Sequence, residues 1–100
     1  MNKTVSQDYE LSYILEEGKH QATIHFSIYQ KTAVLLKVEN IQNKDVRVLL
    51  NEVLLQGSYQ TVFSFGKLEG GKYSIKLIAN TDNIIDINSL TIQIPKYEAN

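Results

Sequence analysis

The stretch from Asp45 to Asn80 decides the fold. It reads VRVLLNEVLLQG over 46–57, SYQTVFSF over 58–65 and GKLEGGKYSIKLIAN over 66–80. The first piece is apolar on both phases, with Val46, Val48 and Leu50 against Leu49, Val53, Leu54 and Leu55. Its length and continuity also suit a buried helix. The β-branched start and the flanking turns favour a strand with a bend near Asn51-Glu52. Over 58–65, Tyr59, Thr61, Phe63 and Phe65 alternate with Ser58, Gln60, Val62 and Ser64; over 72–80, Tyr73, Ile75, Leu77 and Ala79 share one face. Gln56-Gly57 and the segment 66–71 separate these runs as turns, so the stretch reads strand, turn, strand, turn, strand.

Further strands follow on both sides. Residues 8–16 place Tyr9, Leu11 and Tyr13 in alternation with polar residues and end at the Glu17-Gly18-Lys19 turn. Residues 22–29 are the cleanest strand, with Ala22, Ile24, Phe26 and Ile28 opposite Thr23, His25 and Ser27. Gln30-Lys31-Thr32 is short enough for a hairpin connection to 32–39, which turns Val34, Leu36 and Val38 inward. The Asn-rich turn NIQNK tolerates positive φ and makes local side-chain bonds. Residues 81–88 read as a polar loop with an apolar patch, and 89–96 as the last strand, closed by Pro95. Seven strands at short spacing, with no convincing amphipathic helix, predict an all-β, immunoglobulin-like sandwich of antiparallel sheets, with a small barrel as the structural alternative. Residues 1–7 are a polar lead-in, 8–96 one domain and 97–100 a tail.

Composition bounds the function. One hundred residues make one domain, and Ile, Val, Leu, Tyr, Phe and Thr dominate, a β-rich usage. Ten basic residues stand against eleven acidic ones, and Arg47 is the lone Arg, so no basic face speaks for nucleic acid. No Cys is present, which excludes disulfides and thiolate metal sites. The opening MNKTVSQDYE has no apolar core and does not read as a signal peptide, and no run approaches the roughly 20 apolar residues of a membrane span. The chain is therefore expected in the cytoplasm or, as a piece of an exported protein, secreted or at the cell surface.

Reactive constellations are sparse. His20 and His25 are five apart and read as surface histidines. Glu16-Glu17 and Asp82/Asp86 lie in expected loops and read as solvated acids. Asp82, Asn83, Asp86 and Asn88 offer oxygen ligands of the kind calcium uses, but their spacing fits no EF-hand and a polar turn accounts for them. No nucleophile–base arrangement or phosphate loop appears, so neither catalysis nor a cofactor is expected. Tyr59, Phe63, Phe65 and Tyr73 fall on the core phase, which leaves Tyr13 and Tyr29 as the aromatic candidates for binding a protein or a glycan. At the edges, acids bracket the first strand and Pro95-Lys96 ends the last, both blunting devices.

Residues 22–80 carry a resemblance. ATIHFSIYQKTAVLLKVENIQNKDVRVLLNEVLLQGSYQTVFS and KLEGGKYSIKLIAN resemble the C-terminal sorting domain of type IX secretion cargo from Bacteroidetes. That family shows an I-x-F-S-I strand, an alternating strand, a V-x-x-L-x-N-E segment and a Leu-x-x-Gly-x-Tyr turn into a closing strand. The immunoglobulin-like domain of the flagellar hook-capping protein shares the last part of the pattern. EEGKHQ stands here where sorting domains carry a Pro-Asn-Pro-rich lead-in. The resemblance implies a noncatalytic module whose later strands are read by secretion machinery, with Leu68 and Tyr73 pinning the last hairpin to the core. The alternative expectation is a free-standing adhesive or scaffold module that binds through exposed loops and Tyr13 or Tyr29.

Overall fold

The computed structural model describes residues 10–95. Seven antiparallel strands form it: β1 (Leu11–Glu16), β2 (Gln21–Ile28), β3 (Thr32–Glu39), β4 (Asp45–Leu54), β5 (Gly57–Ser64), β6 (Gly71–Thr81) and β7 (Ile84–Ile94). They make two sheets, β1-β2-β5 and β4-β3-β6-β7. The sheets stay separate, so the molecule is a sandwich and not a barrel. The order is that of an immunoglobulin-like sandwich in which the fourth strand has joined the second sheet.

Alternation builds the core. Ala22, Ile24, Phe26 and Ile28 of β2 face Val34, Leu36 and Val38 of β3, Ile75, Leu77 and Ala79 of β6, and Ile92 and Ile94 of β7. Phe63 and Phe65 meet edge-to-face at 5.9 Å at the centre of this layer, while Tyr59 stacks on its cross-strand partner Phe26 at 5.6 Å. Leu11, Tyr13 and Leu15 of β1 pack against the margin of the core. On the other side Arg47 of β4 spans the sheets. Its guanidinium lies over the Phe63 ring and donates to the Ser64 carbonyl at 3.0 Å. Aromatic and cation–π geometry thus ties β4 to β5 where no ladder does.

Three readings need correction. Residues 81–88 are not a loop: β6 runs to Thr81, β7 begins at Ile84, and Asp82-Asn83 is the whole turn. Both turn residues take positive φ (52° and 69°), the requirement of a tight hairpin whose twist matches its strands, and Asp and Asn tolerate it. Next, the irregularity in β4 is not at Asn51-Glu52, where pairing with β3 is continuous. Leu36 pairs with Leu50 but Lys37 with Val48, and Val38 pairs with Arg47 but Glu39 with Asp45, so Leu49 and Val46 are bulged. Two extra residues explain why this segment is apolar on both phases. Finally, residues 30–32 are no hairpin, and neither is the turn at Leu68 and Tyr73, because β2–β3, β4–β5 and β5–β6 each cross between sheets. Thr32 anchors the first crossing. Its buried hydroxyl donates to the Gln30 carbonyl at 2.6 Å and meets the Thr81 hydroxyl at 3.1 Å.

The remaining strands match their expected positions to within a few residues. The Asn40 side chain accepts from the Gln42 and Lys44 amides, and Asn43 sits at φ 63°, so NIQNK is the expected Asn-stabilised turn. Tyr9 and Lys96 lie outside the described residues.

Candidate functional site

The two outward faces of the sandwich differ in chemistry. On β1-β2-β5 two outward rows are polar, Ser12, His25 and Gln60 in one and Ser27 and Ser58 in the next, while the row of Ile14, Thr23 and Val62 exposes two aliphatic side chains. Gln21 donates to the Glu16 carboxylate at 2.7 Å, and the Ser27 and Ser58 hydroxyls meet at 3.3 Å. A shallow recess of about 230 Å³ lies here, lined by Glu10, Ser12, His25, Ser27 and Ser58 among others. The Ser27 hydroxyl lies between the Glu10 carboxylate at 3.5 Å and the Ser58 hydroxyl.

The outward face of β4-β3-β6-β7 carries charge at one end and apolar side chains at the other. Lys37 bridges Glu39 at 3.1 Å and Asp45 at 3.0 Å, while Lys76 reaches Glu39 at 3.0 Å. Hydrogen bonds from Lys76 and then Lys37 hold the Glu39 carboxyl below its ordinary value, and those to Asp45 and then Glu39 hold the Lys37 ammonium above its own. Beyond this quartet the rows turn apolar. The ladder sets Asn51, Leu35, Ile78 and Ile87 side by side, and then Val53, Ala33, Asn80 and Ile85. Val53, Ile85 and Ile87 are each more than half exposed.

This patch runs on to one end of the sandwich. The β2–β3, β4–β5 and β6–β7 connections meet there; Tyr29 and Leu55 of the first two, and Ile84, which opens β7 on its inward phase, are exposed by 59, 66 and 65%. Burying large apolar side chains is worth ~1.5–3 kcal/mol each, so six such residues left in water at one end leave a substantial apolar area exposed there. The end is held rigid from within. The Tyr59 hydroxyl donates to the Leu55 carbonyl at 2.6 Å, and Thr32 and Thr81 join β3 to β6.

Of the residues singled out from sequence, Tyr29 stands exposed in this surface. Tyr13 does not join it: it pairs with Ile24 and its ring packs against the core, four residues of β2 short of the end at Ile28. His25 faces outward on β2 as its phase predicts, and His20 occupies the turn before β2 at φ 54°. Asp82 and Asn83 make the β6–β7 turn, while Asp86 and Asn88 fall on the opposite phase of β7 from Ile85 and Ile87. Among the described residues no three His, Asp or Glu side chains gather as a metal site would require. No described helix is long and apolar enough to cross a membrane. The apolar surface is hard to read in the sequence, because its residues sit in a segment that reads as a polar loop with an apolar patch and in the doubly apolar β4. The signal was there in the alternation of Ile85 and Ile87 with Asp86 and Asn88.

No protein-family model matches this chain, and no curated protein matches it either.

Proposed function

We propose that this domain is a noncatalytic recognition module whose later strands are docked by a protein of an export machinery, as the resemblance of residues 22–80 to type IX sorting domains implies. The observation that supports this reading is the exposed apolar surface of Val53, Ile85 and Ile87, on the outward face of the later strands. A protein partner suits it. The surface is bordered on one side by the neutral Lys37–Glu39–Lys76–Asp45 quartet and is built on strands that give it fixed geometry. Export is the readout. Residues 8–96 fused behind a reporter with a signal peptide should carry it to the surface or medium of a type IX-competent host. A reporter held in the periplasm contradicts the reading.

Tyr29 favours a second reading, an adhesive or scaffold module. Its ring is 59% exposed at the end where three connections meet, the position from which immunoglobulin-like sandwiches present binding loops. A glycan array and a pull-down with the intact domain test it, and silence in both counts against it.

A further inference from the structure

An open sandwich has four edge strands, and three of these are blunted. β1 is six residues long and ends in the hydrogen-bonded carboxylate of Glu16. β4 carries the two bulged residues and the charges of Asp45, Arg47 and Glu52. β5 has Arg47 on the carbonyl of its last residue, Ser64. β7 has none of these devices. It runs for eleven residues, pairs with β6 without a shift from Gly71↔Ile94 to Thr81↔Ile84, and holds one ionisable side chain, Asp86. Among the described residues no strand pairs its other side. A long edge of regular register with a single charge is a template for another strand.

The hairpin sets which backbone groups are open. Across a two-residue turn the flanking residues, Thr81 and Ile84, form the hydrogen-bonded pair, and bonded and unbonded pairs alternate from there. Ile85, Ile87, Ser89 and Thr91 therefore fall at unbonded positions toward β6, and their N–H and C=O groups point to the free edge. What complements such a row is an extended backbone.

We propose that two copies of this chain pair antiparallel through the upper part of β7, about a dyad at Ile87. The side chains of β7 are self-complementary in this register. Ile87 meets its own copy on the outward face. On the inward face Asp86 lies opposite Asn88, a carboxylate against an amide donor, and Ile84 lies opposite Leu90. A dyad one residue earlier would set the two Asp86 carboxylates against each other. Pairing at Ile87 also joins the row of Leu35, Ile78 and Ile87 to the same row of the second copy, making one apolar band across six strands, with Asn51 of β4 at each end. Edge pairing leaves the outward faces uncovered, so it goes beyond the docking proposal and stands without it.

Sedimentation of the full chain from micromolar to millimolar concentration tests the proposal, with far-UV circular dichroism checking the fold of each variant. The wild type should pass from the chain mass to twice that mass. Ile87→Lys sets two ammonium groups at the dyad, and Asn88→Asp sets carboxylate against carboxylate; each should weaken the dimer at least tenfold. Val48→Lys, on β4, should leave it unchanged. The chain has no Cys, so single-Cys variants report the register. A short thiol–thiol crosslinker should join copies at Ile87→Cys and fail at Gln93→Cys, where the two residues lie about 40 Å apart at ~3.4 Å per residue. A chain monomeric throughout, a dimer indifferent to both charge variants, or equal crosslinking at Gln93 overturns it.

Discussion

The Tyr73 hydroxyl donates to the Glu69 carbonyl at 2.7 Å, across the arch that carries the chain from β5 to β6. It is the tyrosine corner of immunoglobulin-like sandwiches, a ring packed on the core and a hydroxyl bonded four residues upstream. Gly71, between the two, holds φ 139°, a conformation that side chains with a Cβ rarely adopt. Leu68, Gly71 and Tyr73 thus shape an inter-sheet crossing and carry no chemistry. Tyr59 repeats the device at the other end by bonding Leu55.

Removing that hydroxyl should loosen the arch and leave the core ring in place. Tyr73→Phe is expected to lower stability by about 1 kcal/mol, and Tyr59→Phe by a similar amount. Urea unfolding followed by fluorescence or circular dichroism measures both, and the fold should persist in each.

The core makes a sharper contrast. Phe63 is fully buried, while Val62 beside it on β5 is 47% exposed. Phe63→Ala should cost about 3–5 kcal/mol, enough to unfold a domain of ordinary stability. Val62→Ala should stay within ~0.5 kcal/mol. Equal effects would mean that the phase of β5 is misassigned.

The ion quartet predicts a pH dependence with a definite sign. Bonds from Lys76 and Lys37 hold Glu39 below 4.5, so the unfolded chain takes up the proton first as the medium acidifies. The stabilisation is therefore complete above pH 4.5 and is lost as pH falls through the folded-state value. Glu39→Gln should be less stable than the wild type at pH 7, because Lys76 then loses its carboxylate and faces Lys37, which keeps only Asp45, and the gap should close below pH 4.5. Lys37 is held above 10.5, so its contribution is present below that value and lost only in stronger alkali. Thermal melts of the two proteins from pH 3 to 8 measure the closing gap.

The β6–β7 turn should be sensitive to Cβ branching. Asn83 sits at φ 69°, where a β-branched residue is strained, so Asn83→Val should destabilise by about 1–2 kcal/mol while Asn83→Gly should be near neutral. Chemical denaturation of the two variants compares them.

Much of this fold was legible because buried strands advertise themselves. Ala22, Ile24, Phe26 and Ile28 alternate without a fault, and so do Tyr73, Ile75, Leu77 and Ala79. What escaped has physical reasons. An arch and a hairpin use the same turn residues, so which sheet receives β3 or β5 is written in tertiary packing, not in residues 30–32. Bulges in β4 shift phase twice and blur the alternation that betrays a strand. Asp82-Asn83 lacks the Gly of the usual hairpin signal, and Asp86 and Asn88 made the start of β7 look like loop. Val53, Ile85 and Ile87 of the exposed apolar surface lie in those two blurred segments, whereas Tyr29 stands out in the sequence as an aromatic beyond the clean alternation of β2.

The most direct measurement compares export of a reporter fused to residues 8–96 with that of the same fusion carrying Val53→Lys and Ile85→Lys. Both positions are solvent-exposed, so the domain should fold and the reporter should be made in equal amount. The account predicts that the wild-type fusion leaves the cell while the double variant stays in the periplasm. Equal export of the two would contradict docking through this face.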